Sequence, residues 1–309
     1  MLRALFAMTY NCGVFAAESG VLMMGLTARI AMASIVWEYL EIAVLAAVQG
    51  VTEFLPISSS GHVIVLAALF DRFGHPLDQK LTINIALHMG TLLAIVVFYR
   101  GRIVRLFGSD RRLIGLILLG SVPAGLVGVA YKEFFESWFV GRFGWNPLED
   151  ALLAGIMFAV TGGLLMAAGR RESRHGRGAV SSRELTYLQA FWIGIFQALA
   201  ILPGLSRSGS TIAAGLFCGL KREEAAAFSF LLALPAMAGA GLLEALDAAK
   251  EAGGTLEAGP LVVGGGLAFI IGWASLRWLI AWLEKGRLGW FAAYVFVLSP
   301  LVIAWRLLS

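Results

Sequence analysis

The sequence predicts an all-α polytopic membrane protein: about six transmembrane helices plus two re-entrant, broken-helix segments in an inverted-topology repeat. Three observations carry this. First, the chain is oily: 59% of its 309 residues are hydrophobic and only 14% are charged, where soluble domains average about 45–50% apolar and about 25% charged. Its mean hydropathy is +0.81. Second, apolar runs close to about 20 residues, enough helix to cross a bilayer core, recur along the chain. Third, the loops between those runs alternate between basic and acidic, as the positive-inside rule requires of a multi-pass protein.

Residues 1–36 are an N-terminal extension of uncertain role. They are moderately apolar, carry Arg3, Glu18 and Arg29, and lack a compact cleavage pattern. Residues 37–309 read as a single integral-membrane catalytic domain. Full spans are expected at about 81–99, 113–131, 151–169, 225–245, 259–283 and 289–308. Loop 100–112 holds five arginines against Asp110, and loop 170–183 holds five against Glu172. Both should face the cytoplasm. Loops 132–150 and 244–258 are acidic and should lie outside. Because the basic residues sit in loops, the net charge of +4 is a topology signal, and no nucleic-acid partner is expected. Cys12 and Cys218 are far apart in the chain and make no disulfide framework. The four histidines form no Cys/His grouping for structural zinc.

Two apolar segments do not read as simple spans. Residues 37–70 are interrupted by "QGVTEFLPISSSGH" (Gln49 to His62), and 186–220 by "LPGLSRSGST" (Leu202 to Thr211). The charge alternation holds only if each enters and turns back, the first from outside and the second from the cytoplasm. They also align: Gln49 with Gln197, and Ser58, Ser60 and Gly61 with Ser206, Ser208 and Gly209. Similar units entering from opposite faces signal an inverted repeat, with a site at the midplane between its motifs, 49–62 and 203–211.

Gln49 and Glu53 are four apart and share a helix face that Pro56 ends. The serines then cap a new short helix, and Gly61 lets backbone come close. A helix N-terminus attracts anions. "SRSGST" opens a second such helix and adds Arg207, whose planar fork suits phosphate. The expected substrate-binding residues are Gln49, Ser58, Ser60, Gly61, Ser206, Ser208, Gly209 and Thr211. Read blandly, these serines cap helices, Gln197 bridges helices, His88 hydrogen-bonds in the interior, and His75 and His175 are loop residues. Glu53 and Arg207 resist such a reading, because a charge near the bilayer centre costs roughly 2.5–3.5 kcal/mol on insertion scales. A carboxylate, hydroxyls and an imidazole within ten residues are the parts for nucleophilic attack.

These two motifs resemble the signatures of the integral-membrane undecaprenyl-diphosphate phosphatase family linked to bacitracin resistance. The resemblance covers roughly 37–309. It implies hydrolysis of undecaprenyl diphosphate to the monophosphate and inorganic phosphate, for lipid-carrier recycling in cell-wall synthesis. It also implies a divalent cation, Mg²⁺ or Ca²⁺, and a bacterial inner-membrane location with the site facing the periplasm. A homodimer is compatible with it. Position 49 is Gln where many members carry Glu, which weakens any charged role there. On this reading the catalytic residues are Glu53, Ser59, His62 and Arg207, and Glu53 with Gln49 are the metal ligands. The nucleophile stays open between Ser59 assisted by His62, His62 itself, and an activated water. A transporter or lipid flippase without hydrolysis is the rival reading, since carriers also use broken helices in inverted repeats.

Overall fold

The computed structural model describes residues 32, 35–72, 81–175, 180–251 and 258–308. The chain divides into two compact units, Met1–Ala43 and Val44–Ser309. Of the first, the described residues, 32 and 35–43, are helical. Apart from 32, 35 and 36, the N-terminal extension lies outside the described residues, as does His75.

Twelve helices follow one another among the described residues: α1 (Ile35–Thr52), α2 (Ser59–Arg72), α3 (Leu81–Phe98), α4 (Arg100–Leu106), α5 (Arg111–Ala130), α6 (Glu136–Phe143), α7 (Ala151–His175), α8 (Tyr187–Leu199), α9 (Arg207–Phe217), α10 (Arg222–Glu251), α11 (Ala258–Glu284) and α12 (Leu288–Leu308). The six expected spans correspond to α3, α5, α7, α10, α11 and α12. The two expected breaks fall between α1 and α2 and between α8 and α9. Helices α8 and α9 have 13 and 11 residues, too short to cross a bilayer alone, which takes about 20.

Four expectations are corrected. Ile35–Thr52 is by length and composition a span in its own right, not just the first limb of a dip over 37–70. The basic loop 100–112 contains α4, set at 75° to α3. The acidic loop 132–150 starts with a π-helical turn, Tyr131–Phe135, that runs into α6. Gly144, at φ 71°, ends α6. Loop charge reports the side of the membrane; it says nothing of backbone conformation, and arginine is a good helix former. His175, expected in a loop, is the last residue of α7.

The packing repeats itself. Helix α8 lies on α5 as α1, through Gly50, lies on Ile271 and Gly272 of α11. Helix α10 meets α5 as α3 meets α11, while α7 packs on α12 and α3 on α10. Exchanging α1, α2, α3, α5 and α7 for α8 to α12 maps each of these contacts onto another, as an inverted repeat requires. Small residues allow the closeness: a Cβ at Gly194 of α8 would stand 2.1 Å from the Gly120 carbonyl oxygen of α5.

Polar ties join the basic segments. Arg102 pairs with Glu224 at 2.6 Å, Arg222 with Glu172 at 2.9 Å and Arg183 with Asp110 at 2.8 Å. Large apolar side chains such as Leu118, Leu126, Phe134, Val262 and Ile270 are exposed. That is the surface a protein presents to acyl chains rather than to water.

Candidate active site

The two helix breaks touch, and the contact is built from backbone. A Cβ placed on Gly61 would stand 2.8 Å from the Gly204 Cα, and one on Gly204 would lie 2.1 Å from the Ala154 carbonyl oxygen. Gly204 has φ +86°, a conformation glycine adopts without penalty. Thr161 of α7 secures this turn. Its hydroxyl donates to the Gly204 carbonyl at 2.8 Å and accepts from the Ser206 N–H at 3.0 Å.

On the first break, the last turn of α1 reaches Glu53, whose N–H bonds the Gln49 carbonyl at 2.9 Å. Gln49 Nε2, four residues back, donates to Glu53 Oε2 at 3.0 Å. Pro56 has no N–H to continue the helix. The chain turns through Ser58, the sole described non-glycine residue at positive φ, 72°. Such a conformation costs about 1–3 kcal/mol and persists only where its surroundings enforce it. It aims the next residue back at α1: Ser59 Oγ donates to Glu53 Oε2 at 2.6 Å.

On the second break, Ser206 caps α9 by accepting from the Gly209 N–H at 3.0 Å. Arg207 is the first helical residue, and its Nη2 donates to Glu53 Oε1 at 2.5 Å. The pair is largely buried, with side-chain exposures of 17% and 8%. Arg207 Nη1 is buried without a hydrogen-bond partner among the described residues. Glu53, Ser59, Ser60, Arg207 and Gln197 line one cavity of about 320 Å³.

Glu53, Ser59 and Arg207 are thus brought together, with Gln49 supporting Glu53. Several other expected site residues serve the scaffold. Ser208 Oγ donates to the Leu55 carbonyl at 3.2 Å, tying the breaks together. Thr211 Oγ1 donates to the Arg207 carbonyl at 2.7 Å and pairs with Ser229. Ser58, Ser206 and Gly209 hold helix starts, and Gly61 holds the crossing. The Ser58 and Ser206 hydroxyls accept from the N–H groups of Gly61 and Gly209, because the first N–H groups of a helix have no partner within it.

The pairing of Ser59 with His62 is not formed. His62 Nδ1 lies 2.6 Å from the Ser58 carbonyl and Nε2 lies 2.9 Å from the Tyr294 hydroxyl. His62 is absent from the cavity lining. One helical turn separates the two residues, but Ser59 turns toward α1 and His62 toward α12.

Comparison with known proteins matches the model of the family described as bacitracin resistance protein BacA over residues 42–301. This chain belongs to the BacA family. It is 40% identical over 267 residues to an undecaprenyl-diphosphatase of Rhodopirellula baltica, covering 86% of this chain and 97% of that protein. It is 38% identical over 289 residues to one of Rubrobacter xylanophilus, covering 88% and 99%.

This BacA-family chain also places in the cavity residues the sequence reading set aside. Gln197, 4% exposed, lines it with neither carboxamide atom bonded among the described residues. Its alignment with Gln49 was the available signal. His88 and Glu244 line the same cavity, and His88 Nδ1 is held by the Asn84 carbonyl at 2.9 Å. Tyr294 left no mark in the sequence. Among the described residues no group of three or more His, Cys, Asp and Glu side chains forms a ready-made metal cluster.

Proposed function

We propose that this multi-pass membrane protein hydrolyses undecaprenyl diphosphate to undecaprenyl phosphate and inorganic phosphate. The observation that carries this is Glu53. One oxygen accepts from Ser59 of the first break and the other from Arg207 of the second, inside a cavity large enough for a diphosphate. Curated relatives covering nearly their full length bear the name undecaprenyl-diphosphatase.

The chemistry follows from the donors. The diphosphate head brings several negative charges, and its oxygens compete with Glu53 for Arg207, whose Nη1 is already free. The Gln197 carboxamide supplies further donors. Glu53, released from Arg207, takes the Ser59 proton. Ser59 Oγ then attacks the terminal phosphorus, and the bond to the bridging oxygen breaks, leaving the lipid monophosphate. Glu53 passes that proton to the departing lipid monophosphate. Water then attacks the phosphoserine while Glu53 takes its proton and returns it to Ser59 Oγ as the phosphorus–Oγ bond breaks, which regenerates Ser59 and releases inorganic phosphate.

A divalent cation fits this donor set in one way. With no preformed cluster among the described residues, it would be held by Glu53, the neutral oxygen of Gln49 and mainly the lipid's own phosphate oxygens. Mg²⁺ is commonly bound so. When bound, it would neutralise charge on the diphosphate. The family resemblance implies an inner-membrane location with the site toward the periplasm, and the loop charges add which loops face the cytoplasm.

The test is phosphate release by purified protein in detergent from a polyprenyl diphosphate, with Mg²⁺ or Ca²⁺ and with chelator. Release that Ser59→Ala abolishes supports the reading; a folded protein that binds the lipid without cleaving it refutes it.

A further inference from the structure

The structure assigns Tyr294 and His62 to a brace that holds Ser58 in its left-handed conformation and so aims Ser59, with neither side chain touching substrate. The brace is anchored on the Ser58 carbonyl oxygen. A carbonyl only accepts, so His62 Nδ1, 2.6 Å away, carries a proton and donates. The His62 backbone N–H donates to the same oxygen at 3.3 Å. Ser58 Oγ in turn accepts from the Gly61 N–H at 3.3 Å. The one strained residue of the break is therefore gripped at its carbonyl by a residue four positions on.

Tyr294 of α12 fixes that grip. Its ring stacks on the imidazole at 6°, with centroids 5.8 Å apart, and its hydroxyl meets Nε2 at 2.9 Å. Phe158 of α7 stands edge-on to the imidazole at 5.1 Å. With Nδ1–H given to Ser58, neutral His62 accepts from the tyrosine hydroxyl through Nε2; charged, it donates to it. In neither state does a ring nitrogen point its lone pair at Ser59. His62 is then a positioning residue in place of a base or nucleophile, and Tyr294 positions it.

This rests on Ser59 as the reacting group, and the tests separate the two. An asparagine amide can stand where Nδ1 stands and donate to Ser58, but it cannot accept and carry a proton. His62→Ala should lower kcat on the order of 10²-fold, the scale of a reacting group misplaced by about 1 Å, with KM little changed. His62→Asn should restore most of that loss. Glycine at 58 needs no brace, so His62→Ala should cost far less in a Ser58→Gly background. Tyr294→Phe should lower kcat a few-fold in the wild-type background and not at all beside His62→Asn.

Melting temperatures in detergent report folding. Folded His62→Asn as inactive as His62→Ala, or an undiminished His62→Ala cost beside Ser58→Gly, overturns the brace. Full turnover in Ser59→Ala instead overturns the nucleophile assignment, leaving the His62 comparisons readable on their own.

Discussion

Glu53 and Arg207 are 154 positions apart in the chain and 2.5 Å apart in space. Neither charge could rest alone where it is buried. Removing one partner of a buried pair leaves an uncompensated charge and costs about 3–5 kcal/mol, whereas replacing both by apolar or neutral groups is often harmless. Arg207→Met should therefore lower both the melting temperature and activity. The double variant Arg207→Met with Glu53→Gln should regain the melting temperature but not activity. Loss of a charge-stabilising donor costs on the order of 10²–10³-fold in kcat. Thermal unfolding in detergent, read beside phosphate release, checks both arms.

Gln197 makes a prediction of opposite sign for stability and binding. A buried polar group without a partner costs about 1–3 kcal/mol. Gln197→Leu should leave the melting temperature unchanged or raised while KM for the diphosphate rises several-fold. Gln197→Glu should raise KM further, by repelling the headgroup. A lower melting temperature for Gln197→Leu with unaltered KM would return this residue to helix bridging.

The crossing of Gly61 over Gly204 tolerates no side chain. Gly204→Ala places a Cβ against the Ala154 carbonyl at φ +86°. It should destabilise by about 2 kcal/mol or more and reduce the folded yield. Gly163→Ala, where nothing stands within 4 Å, is the control and should behave as wild type.

Asp110 sets an acid limit. Burial pushes its carboxyl up, but hydrogen bonds from Ser109 and Arg183 and the charges of Arg183 and Arg105 together hold it below the usual carboxylate range. A depressed folded-state value contributes stability that is full above the unfolded value, about 3.9, and lost as pH falls through the folded one. Asp110→Asn should lower the melting temperature at neutral pH, and the gap to wild type should close below about pH 4. A gap constant from pH 7 to pH 3 would contradict this.

Hydropathy and loop charge reached six spans and, with the polar motifs inside two apolar runs, the two breaks, because partition between lipid and water depends on residue type. That Ile35–Thr52 is itself long enough to span was missed. Glu53 and Arg207 were legible for the same reason: a charge in an apolar run is costly wherever its side chain points. Chain order and residue type also reached the repeat, through Ser58, Ser60 and Gly61 against Ser206, Ser208 and Gly209. What side chains face was not legible. Ser59 and His62 are three apart on one helix, yet one meets α1 and the other α12. Ser206 and Ser208 of the second motif look like phosphate ligands until one hydroxyl is seen to cap α9 and the other to donate to the Leu55 carbonyl. Gln197 and Tyr294 acquire meaning only from the cavity and the brace they complete. Those roles were decided by tertiary packing, because hydrogen bonds act over about 3 Å and only the folded chain brings partners that close.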